Sequence, residues 1–107
     1  MFRRVLLAIS ILFSSVAVAD AKEAKTKYPL NIVSAGFATK LQAKPVRIIS
    51  LSPSATEILF AIKAGPQVLA VDDNSNYPLE VPRSALSGFS PNLEAIVALK
   101  PDFVILN

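Results

Sequence analysis

Residues 50–57, SLSPSATE, place four hydroxyl groups and one carboxylate between two apolar runs. Such a segment could hold a nucleophile, cradle an anion or cap a helix. A nucleophile needs an activating base, and only Lys63 or Lys100, if buried, could supply one in a chain without histidine. An anion cradle needs glycine, which this segment lacks. A cap is favoured, because Ser54 and Glu57 match S-x-x-E, in which each side chain accepts a hydrogen bond from the backbone amide of the other.

Histidine and cysteine are both absent from the 107 residues. The chain therefore cannot build a Ser-His-Asp or Cys-His catalytic site, a thiolate or imidazole zinc site, or a histidine general base. We predict that the protein is not an enzyme and that it has no metal site and no cofactor. A serine–lysine hydrolase is the enzymatic alternative that these absences leave.

A second polar segment, DDNSNYP, occupies residues 72–78. Asp72 and Asp73 could ligate a metal, but adjacent carboxylates without a third donor are common in solvated turns, so a turn is favoured. Tyr77 could stack on a large planar ligand while its hydroxyl stays in water, or it could pack under the loop beside Pro78. The two roles of Tyr77 are equally compatible with the sequence.

A third segment, GFSPNLE, occupies residues 88–94. Phe89 follows a glycine just before a helix start, so its ring either lines a cleft or plugs the end of the sheet. Glu94 lies in the first turn of the predicted helix, where the helix dipole favours a negative charge. It could also present that charge to a partner.

These polar segments follow or connect elements of a predicted α/β fold. Residues 46–51 and 68–71 are short apolar runs typical of strands buried in a parallel sheet. The helical pattern between them covers residues 54–64 and ends at Gly65-Pro66. Strand, helix and strand form a βαβ unit with a right-handed crossover. The apolar face of the helix is predicted to comprise Ala55, Ile58, Leu59 and Ile62.

The pattern recurs further along the chain. A second helix is predicted to begin at Pro91 behind a Ser90 cap, and a third strand to lie within residues 102–107. Residues 28–45 contain two β-type runs around a turn, which predicts a β-hairpin or an edge pair.

The start of the chain has the features of a secretory signal peptide over residues 1–19. Arg3 and Arg4 precede an apolar run that is shorter than the roughly 18 residues of a spanning helix, and the run ends in Ala17-Val18-Ala19. An uncleaved membrane anchor is the alternative. Without a cysteine the chain cannot have a lipid tether on that residue, so we expect a soluble periplasmic protein.

Cleavage of that signal would remove Arg3 and Arg4 and lower the formal net charge from +3 to +1. The remaining chain would have no basic excess, so nucleic-acid binding is not predicted. Residues 20–45 are then a charged leader followed by the hairpin, and residues 46–107 form the α/β part.

The ordered motifs SPSATE, NYP and NLE-x-I-x-x-L-K-P-D resemble the N-terminal lobe of the ABC-importer substrate-binding proteins for iron–siderophores, haem and vitamin B12. The similarity extends from Val46 to Ile105. It implies two α/β lobes joined by a long rigid helix, with a metal chelate or corrinoid bound between them. This chain would be a Rossmann-like half-lobe preceded by a β-hairpin. We expect a truncated or fragmentary copy, because such proteins are much longer.

The resemblance also implies roles for particular residues. Asn74, Tyr77 and Phe89 correspond to positions that face the ligand cleft, and Glu94 to the glutamate that docks onto arginines of the membrane permease. The basic residue that some siderophore binders have just before PNLE is missing, which leaves the ligand class open. The predicted function is a periplasmic solute-binding component of an ABC importer for an iron–siderophore, haem or cobalamin. The alternative is an exported α/β interaction or adaptor domain without a small-molecule ligand.

Overall fold

The computed structural model describes residues 25–107. The predicted signal peptide, residues 1–19, and the start of the predicted leader lie outside the described residues. Within residues 25–107 no helix is long and apolar enough to cross a membrane.

A β-hairpin opens the described part of the chain. Strand β1 (Leu30–Ser34) pairs antiparallel with strand β2 (Phe37–Leu41). Ala35 and Gly36 form the two-residue turn with φ angles of 50° and 81°. Positive φ at both positions is what a tight hairpin of this kind requires, and glycine adopts it without steric cost. The predicted hairpin is confirmed.

A three-stranded parallel sheet follows, with β3 (Ile48–Ser50) between β4 (Val68–Val71) and β5 (Phe103–Ile105). The predicted parallel α/β arrangement is confirmed, and β4 has the predicted limits. Strand β3 begins later than predicted because the amides of Val46 and Arg47 donate to the side chain of Asp102 instead of a neighbouring strand.

Helices cover the sheet on both sides. Helix α1 (Pro53–Ala61) is followed by a 3₁₀ turn (Gly65–Gln67), and helix α2 (Leu93–Ala98) precedes β5. The core has two parts, one on the α1 side and one on the α2 side. The buried residues on the α1 side are Ile48, Leu59, Val68, Val71 and Val81. Those on the α2 side are Ile49, Leu51, Ala70, Leu86 and Ile96.

The buried face of α1 differs from the predicted one. Leu59 is buried, but Ile58 and Ile62 are 60% and 67% exposed, whereas Thr56 is fully buried. The helix is apolar on more than one side, so its periodicity does not select a single face. Hydrogen bonds of the Thr56 hydroxyl to Ser50 and Ser75 orient the helix instead.

The predicted capping box of Ser54 and Glu57 is wrong. Helix α1 begins at Pro53, with Ser52 as the N-cap and no side-chain cap hydrogen bond. Proline suits the first helical position because its φ is already helical and no amide hydrogen is lost there. Ser54 therefore lies inside the first turn, and both it and Glu57 are exposed to solvent.

The predicted Ser90 cap of the second helix is also wrong. Asn92 is the N-cap of α2, and its side-chain oxygen accepts from the amide of Ala95 at 3.1 Å. The amide of Ser90 donates to Ser87 Oγ at 3.0 Å instead. Asparagine and serine are both good caps, so the local sequence did not distinguish them.

Candidate functional site

The candidate site lies at the carboxyl edge of the parallel sheet. From β3 the chain crosses to β4 on one side and then returns to β5 on the other. Open α/β sheets bind ligands outside the carboxyl ends of their strands, where the direction of winding reverses. Because α1 and α2 cover opposite faces of the sheet, the reversal here falls at β3.

A buried network of hydroxyl groups underlies this edge. Thr56 Oγ1 lies within hydrogen-bonding distance of two other hydroxyl oxygens, 2.9 Å from Ser50 Oγ and 2.9 Å from Ser75 Oγ. The Ser50 hydroxyl donates to the carbonyl oxygen of Ser52 at 3.2 Å, and the Ser75 hydroxyl donates to the Asp72 carboxylate. The network thus links the end of β3, the start of α1 and the loop after β4.

Two of the four hydroxyl groups of SLSPSATE, those of Ser50 and Thr56, are accounted for by these contacts. Ser50, Ser52 and Thr56 are all buried. The described residues contain no buried side-chain nitrogen or oxygen without a hydrogen-bond partner. The segment is therefore a hydrogen-bonded joint between β3 and α1.

The loop after β4 is a turn, as favoured from the sequence. The amide of Ser75 donates to the carbonyl of Asp72 at 3.2 Å, and the amide of Asp72 donates to the carbonyl of Ser50 at 3.0 Å. Asp72 is buried, whereas Asp73 is exposed. Among residues 25–107 no group of three or more acidic, histidine or cysteine side chains could hold a metal ion.

Asn74 and Tyr77 are presented to solvent by this loop. Asn74 is exposed, and the Tyr77 side chain is 64% exposed. The peptide bond between Tyr77 and Pro78 is cis. The interpretation in which Tyr77 packs under the loop is therefore wrong, and its ring is accessible to a ligand.

A second segment crosses the same edge at Gly88. A Cβ atom on Gly88 would lie 2.5 Å from the carbonyl oxygen of Leu51 and 3.3 Å from Asp72 Oδ2. The amide of Asp73 donates to the carbonyl of Leu86 at 2.7 Å, which joins this segment to the loop after β4. Only a residue without a side chain allows the backbone to approach so closely.

Phe89 follows at once and is 91% exposed. It does not plug the end of the sheet, which was one of its two predicted roles. The structure thus brings residues 72–78 and 86–89 together at one edge, with Asn74, Tyr77 and Phe89 all exposed.

Glu94 lies in the first turn of α2, as predicted, and is exposed. It borders a shallow apolar depression formed with Leu93, Val97 and Ala98. Leu93 and Val97 are themselves exposed. An acidic group within an exposed apolar surface is suited to a partner that offers a cation among apolar side chains.

Sequence reasoning missed the buried members of the site, namely Ser50, Thr56, Asp72 and Ser75. One signal was available: Ser50, Ser52 and Thr56 are polar residues in a segment flanked by the strand and helix that build the core. Buried polar groups are almost always hydrogen-bonded, so their positions point to shared partners. Among these partners, Ser75 is in the loop after β4, which is too far along the chain for a local sequence pattern to identify.

Comparison with known proteins identifies the class. Residues 48–107 match the family described as Periplasmic binding protein. This match covers more than half of the chain, and the chain belongs to that family. Its α/β half-lobe is part of the periplasmic-binding fold.

Two relatives illustrate the range of similarity. A Bacillus subtilis (strain 168) protein, the uncharacterized ABC transporter substrate-binding lipoprotein YvrC, is 36% identical over 94% of this chain and 34% of its own length. A vitamin B12-binding protein of Vibrio vulnificus (strain CMCP6) is 43% identical over 64% of this chain and 26% of its own length. Both names describe binding proteins and not enzymes.

A solved structure is also similar. It is described as a possible iron-binding, periplasmic solute-binding protein from Staphylococcus epidermidis ATCC 12228, and it matches with a TM-score of 0.52 and 33% sequence identity. The match covers 58% of this chain and 25% of that one. The chain therefore spans only about a quarter to a third of the length of these relatives.

Proposed function

We propose that the chain forms part of the ligand-binding lobe of a periplasmic solute-binding component of an ABC importer. The ligand is either a metal chelate, such as an iron–siderophore or haem, or cobalamin. It is held at the carboxyl edge of the sheet and delivered to a membrane permease.

The observation that supports this proposal is the convergence of two loops at that edge. The Asp73 amide donates to the Leu86 carbonyl, which ties the loop carrying Tyr77 to the segment carrying Phe89. Both rings are largely exposed. Exposed aromatic rings provide large, rigid contact area for a planar ligand.

That surface and the names of the relatives support the proposed ligand class. Haem and the corrin ring of cobalamin present broad, flat, largely apolar faces, which aromatic rings can contact while Asn74 offers hydrogen bonds to the polar periphery. The names of the similar proteins mention vitamin B12 and iron.

Calorimetric titration tests the ligand-binding surface. Cyanocobalamin, haemin and a ferric hydroxamate are titrated into the purified chain and into its Tyr77→Ala and Phe89→Ala variants. We expect one probe to bind and each variant to weaken it about tenfold or more, equivalent to about 1.4 kcal/mol.

Phe37→Ala is the matched control, because Phe37 is 76% exposed but lies at the hairpin turn. Its affinity should equal that of the unmodified chain. Equal affinity of all three variants would refute the pocket assignment. A chain that melts cooperatively but binds none of the probes would favour the adaptor alternative.

Glu94 is proposed as the permease-docking residue. Its carboxylate projects from an exposed apolar surface, and the family resemblance assigns arginines to the opposing permease surface. Glu94→Gln should weaken association with permease-containing vesicles at least tenfold while leaving the affinity for the probe unchanged. Glu57→Gln, an exposed acid on α1, is the control. Equal loss of association in both variants would contradict a specific role.

Residues 1–19 are proposed to be a cleaved signal peptide, so that the protein is released into the periplasm without a lipid anchor. Mass spectrometry of the exported chain should find an N-terminus at Asp20 and no lipid. A full-length mass in the membrane fraction would support the anchor alternative instead.

A further inference from the structure

We infer that Thr56 is a positioning residue that fixes the proposed ligand-binding loop, residues 72–78, through the hydroxyl of Ser75. The inference rests on the proposed function for the importance of that loop. The control of the loop by a residue of α1 can be tested without a ligand.

Thr56 occupies the centre of the network. It belongs to α1, yet its hydroxyl lies 2.9 Å from the hydroxyl groups of both Ser50, at the end of β3, and Ser75, in the loop. All three residues are 1% exposed or less. No other side-chain hydrogen bond among the described residues joins α1 to the loop.

The contacts within the network are interdependent. Three hydroxyl protons serve four contacts, so Thr56 can donate to only one of its two neighbours, Ser50 or Ser75, and its proposed role has it donate to Ser75. The chain of hydroxyl groups ends on two acceptors, the Ser52 carbonyl and the Asp72 carboxylate. Removal of the central hydroxyl therefore leaves Ser75 with one buried partner fewer and lets its side chain reorient.

The effect on the loop is local. Ser75 lies between Asn74 and Tyr77, the two residues of this loop that are proposed to contact the ligand. The remaining attachments of the loop to its surroundings are backbone hydrogen bonds at its two ends, to Ser50 and Leu86 at the start and to Val81 at Pro78. Loss of the Thr56 contact should thus release the middle of the loop and leave the sheet in place.

Thr56→Val removes the hydroxyl at nearly constant volume, and Thr56→Ser retains it. Amide hydrogen exchange of the full chain is measured at Ser75, whose amide donates to Asp72, and at Asp102, whose amide donates to Arg47 at the opposite edge. We expect Thr56→Val to speed exchange about tenfold at Ser75 and not at Asp102. Thr56→Ser should restore the slower rate.

Thr39→Val, which removes an exposed hydroxyl from β2, is the matched control and should change neither amide. Should Thr56→Val not fold, Ser75→Ala removes the same contact from the loop side and is expected to give the same pattern. Equal acceleration at Ser75 and Asp102, or equal effects of the valine and serine variants, would overturn the inference, because Thr56 would then be an ordinary core residue.

A second measurement separates this inference from the proposed function. Cyanocobalamin affinity should fall about tenfold in Thr56→Val and recover in Thr56→Ser, with equal saturation at high concentration. If the unmodified chain binds no cyanocobalamin, haemin or ferric hydroxamate, the proposed function fails, and the exchange rates alone decide the positioning role. If the chain binds a probe and Thr56→Val does not alter that affinity, the positioning role fails and the proposed function stands.

Discussion

Arg47 and Asp102 exchange backbone and side-chain hydrogen bonds at the amino edge of the sheet. Asp102 Oδ1 accepts from the amide of Arg47 at 2.9 Å, and the amide of Asp102 donates to the carbonyl of Arg47 at 3.0 Å. The second carboxylate oxygen accepts from the amide of Val46 at 2.9 Å. This reciprocal contact aligns the starts of β3 and β5.

Asp102 should make stability depend on pH in the acid range. The hydrogen bond from the Val46 amide, then that from the Arg47 amide and the Arg47 charge, hold the pKa of Asp102 below its ordinary value of 3.8. Because the folded-state pKa is the lower one, the stabilisation is complete above the unfolded-state pKa, near pH 4, and is lost as the pH falls through the folded-state pKa. Urea unfolding between pH 7 and pH 2 measures this loss.

Asp102→Asn is expected to be less stable than the unmodified chain at pH 7, and the difference should shrink as the pH falls. Glu57→Gln changes the charge equally at an exposed site and should leave stability at pH 7 almost unchanged. A difference for Asp102→Asn that stays constant to pH 2 would contradict this account.

Arg47→Lys should destabilise the chain by about 1 kcal/mol. The guanidinium donates from Nε to the Lys100 carbonyl at 2.9 Å and from Nη2 to the Leu99 carbonyl at 2.6 Å, which satisfies two carbonyls at the end of α2. Lysine retains the charge, but its single ammonium group lacks the planar set of donors with which the guanidinium reaches both carbonyl oxygens. Urea unfolding of Arg47→Lys beside Arg83→Lys, at an exposed arginine, provides the test, and equal losses would contradict it.

Gly88→Ala should disturb the carboxyl edge. The added Cβ would collide with the Leu51 carbonyl oxygen, and backbone atoms cannot move aside as a flexible side chain can. We expect a loss of about 2 kcal/mol and faster exchange of the Asp73 amide, whose partner is Leu86. Gly36→Ala, in open space at a positive φ, should cost about 1 kcal/mol without changing that amide.

Helix α1 allows a direct test of which apolar side chains form the core. Leu59→Ala removes a buried side chain and should cost about 2 to 4 kcal/mol. Ile58→Ala removes a similar volume from the exposed side and should cost about 0.5 kcal/mol or less. Denaturant titration of both variants measures the difference, and comparable losses would show that Ile58 is also buried in solution.

The elements predicted most accurately from the sequence are those with strong local signals. Strand β4 has four apolar residues bounded by polar ones, and the β1–β2 turn contains the only glycine between two β-type runs. Both were found where predicted. The parallel pairing of β3 and β4 was also predicted, because a strand, helix and strand of these lengths can form only a limited set of arrangements.

The helix starts and the buried site could not be predicted with equal success. The observed N-caps, Ser52 and Asn92, each lie two residues from another good capping residue, Ser54 and Ser90, so the capping rule alone does not fix where each helix begins. The burial of Thr56 depends on Ser75, which is 19 positions away. A local pattern that classes threonine as polar assigns such a residue to the surface.

Strand β3 is the first strand of the sheet along the chain but occupies its centre. Its pairing with β4 spans one helix, whereas its contact with the start of β5 joins residues 55 positions apart. During synthesis one edge of β3 must stay open until residues 103–105 leave the ribosome, and open apolar edges favour aggregation. The pairing of β3 with β5 is therefore expected to form later and more slowly than its pairing with β4.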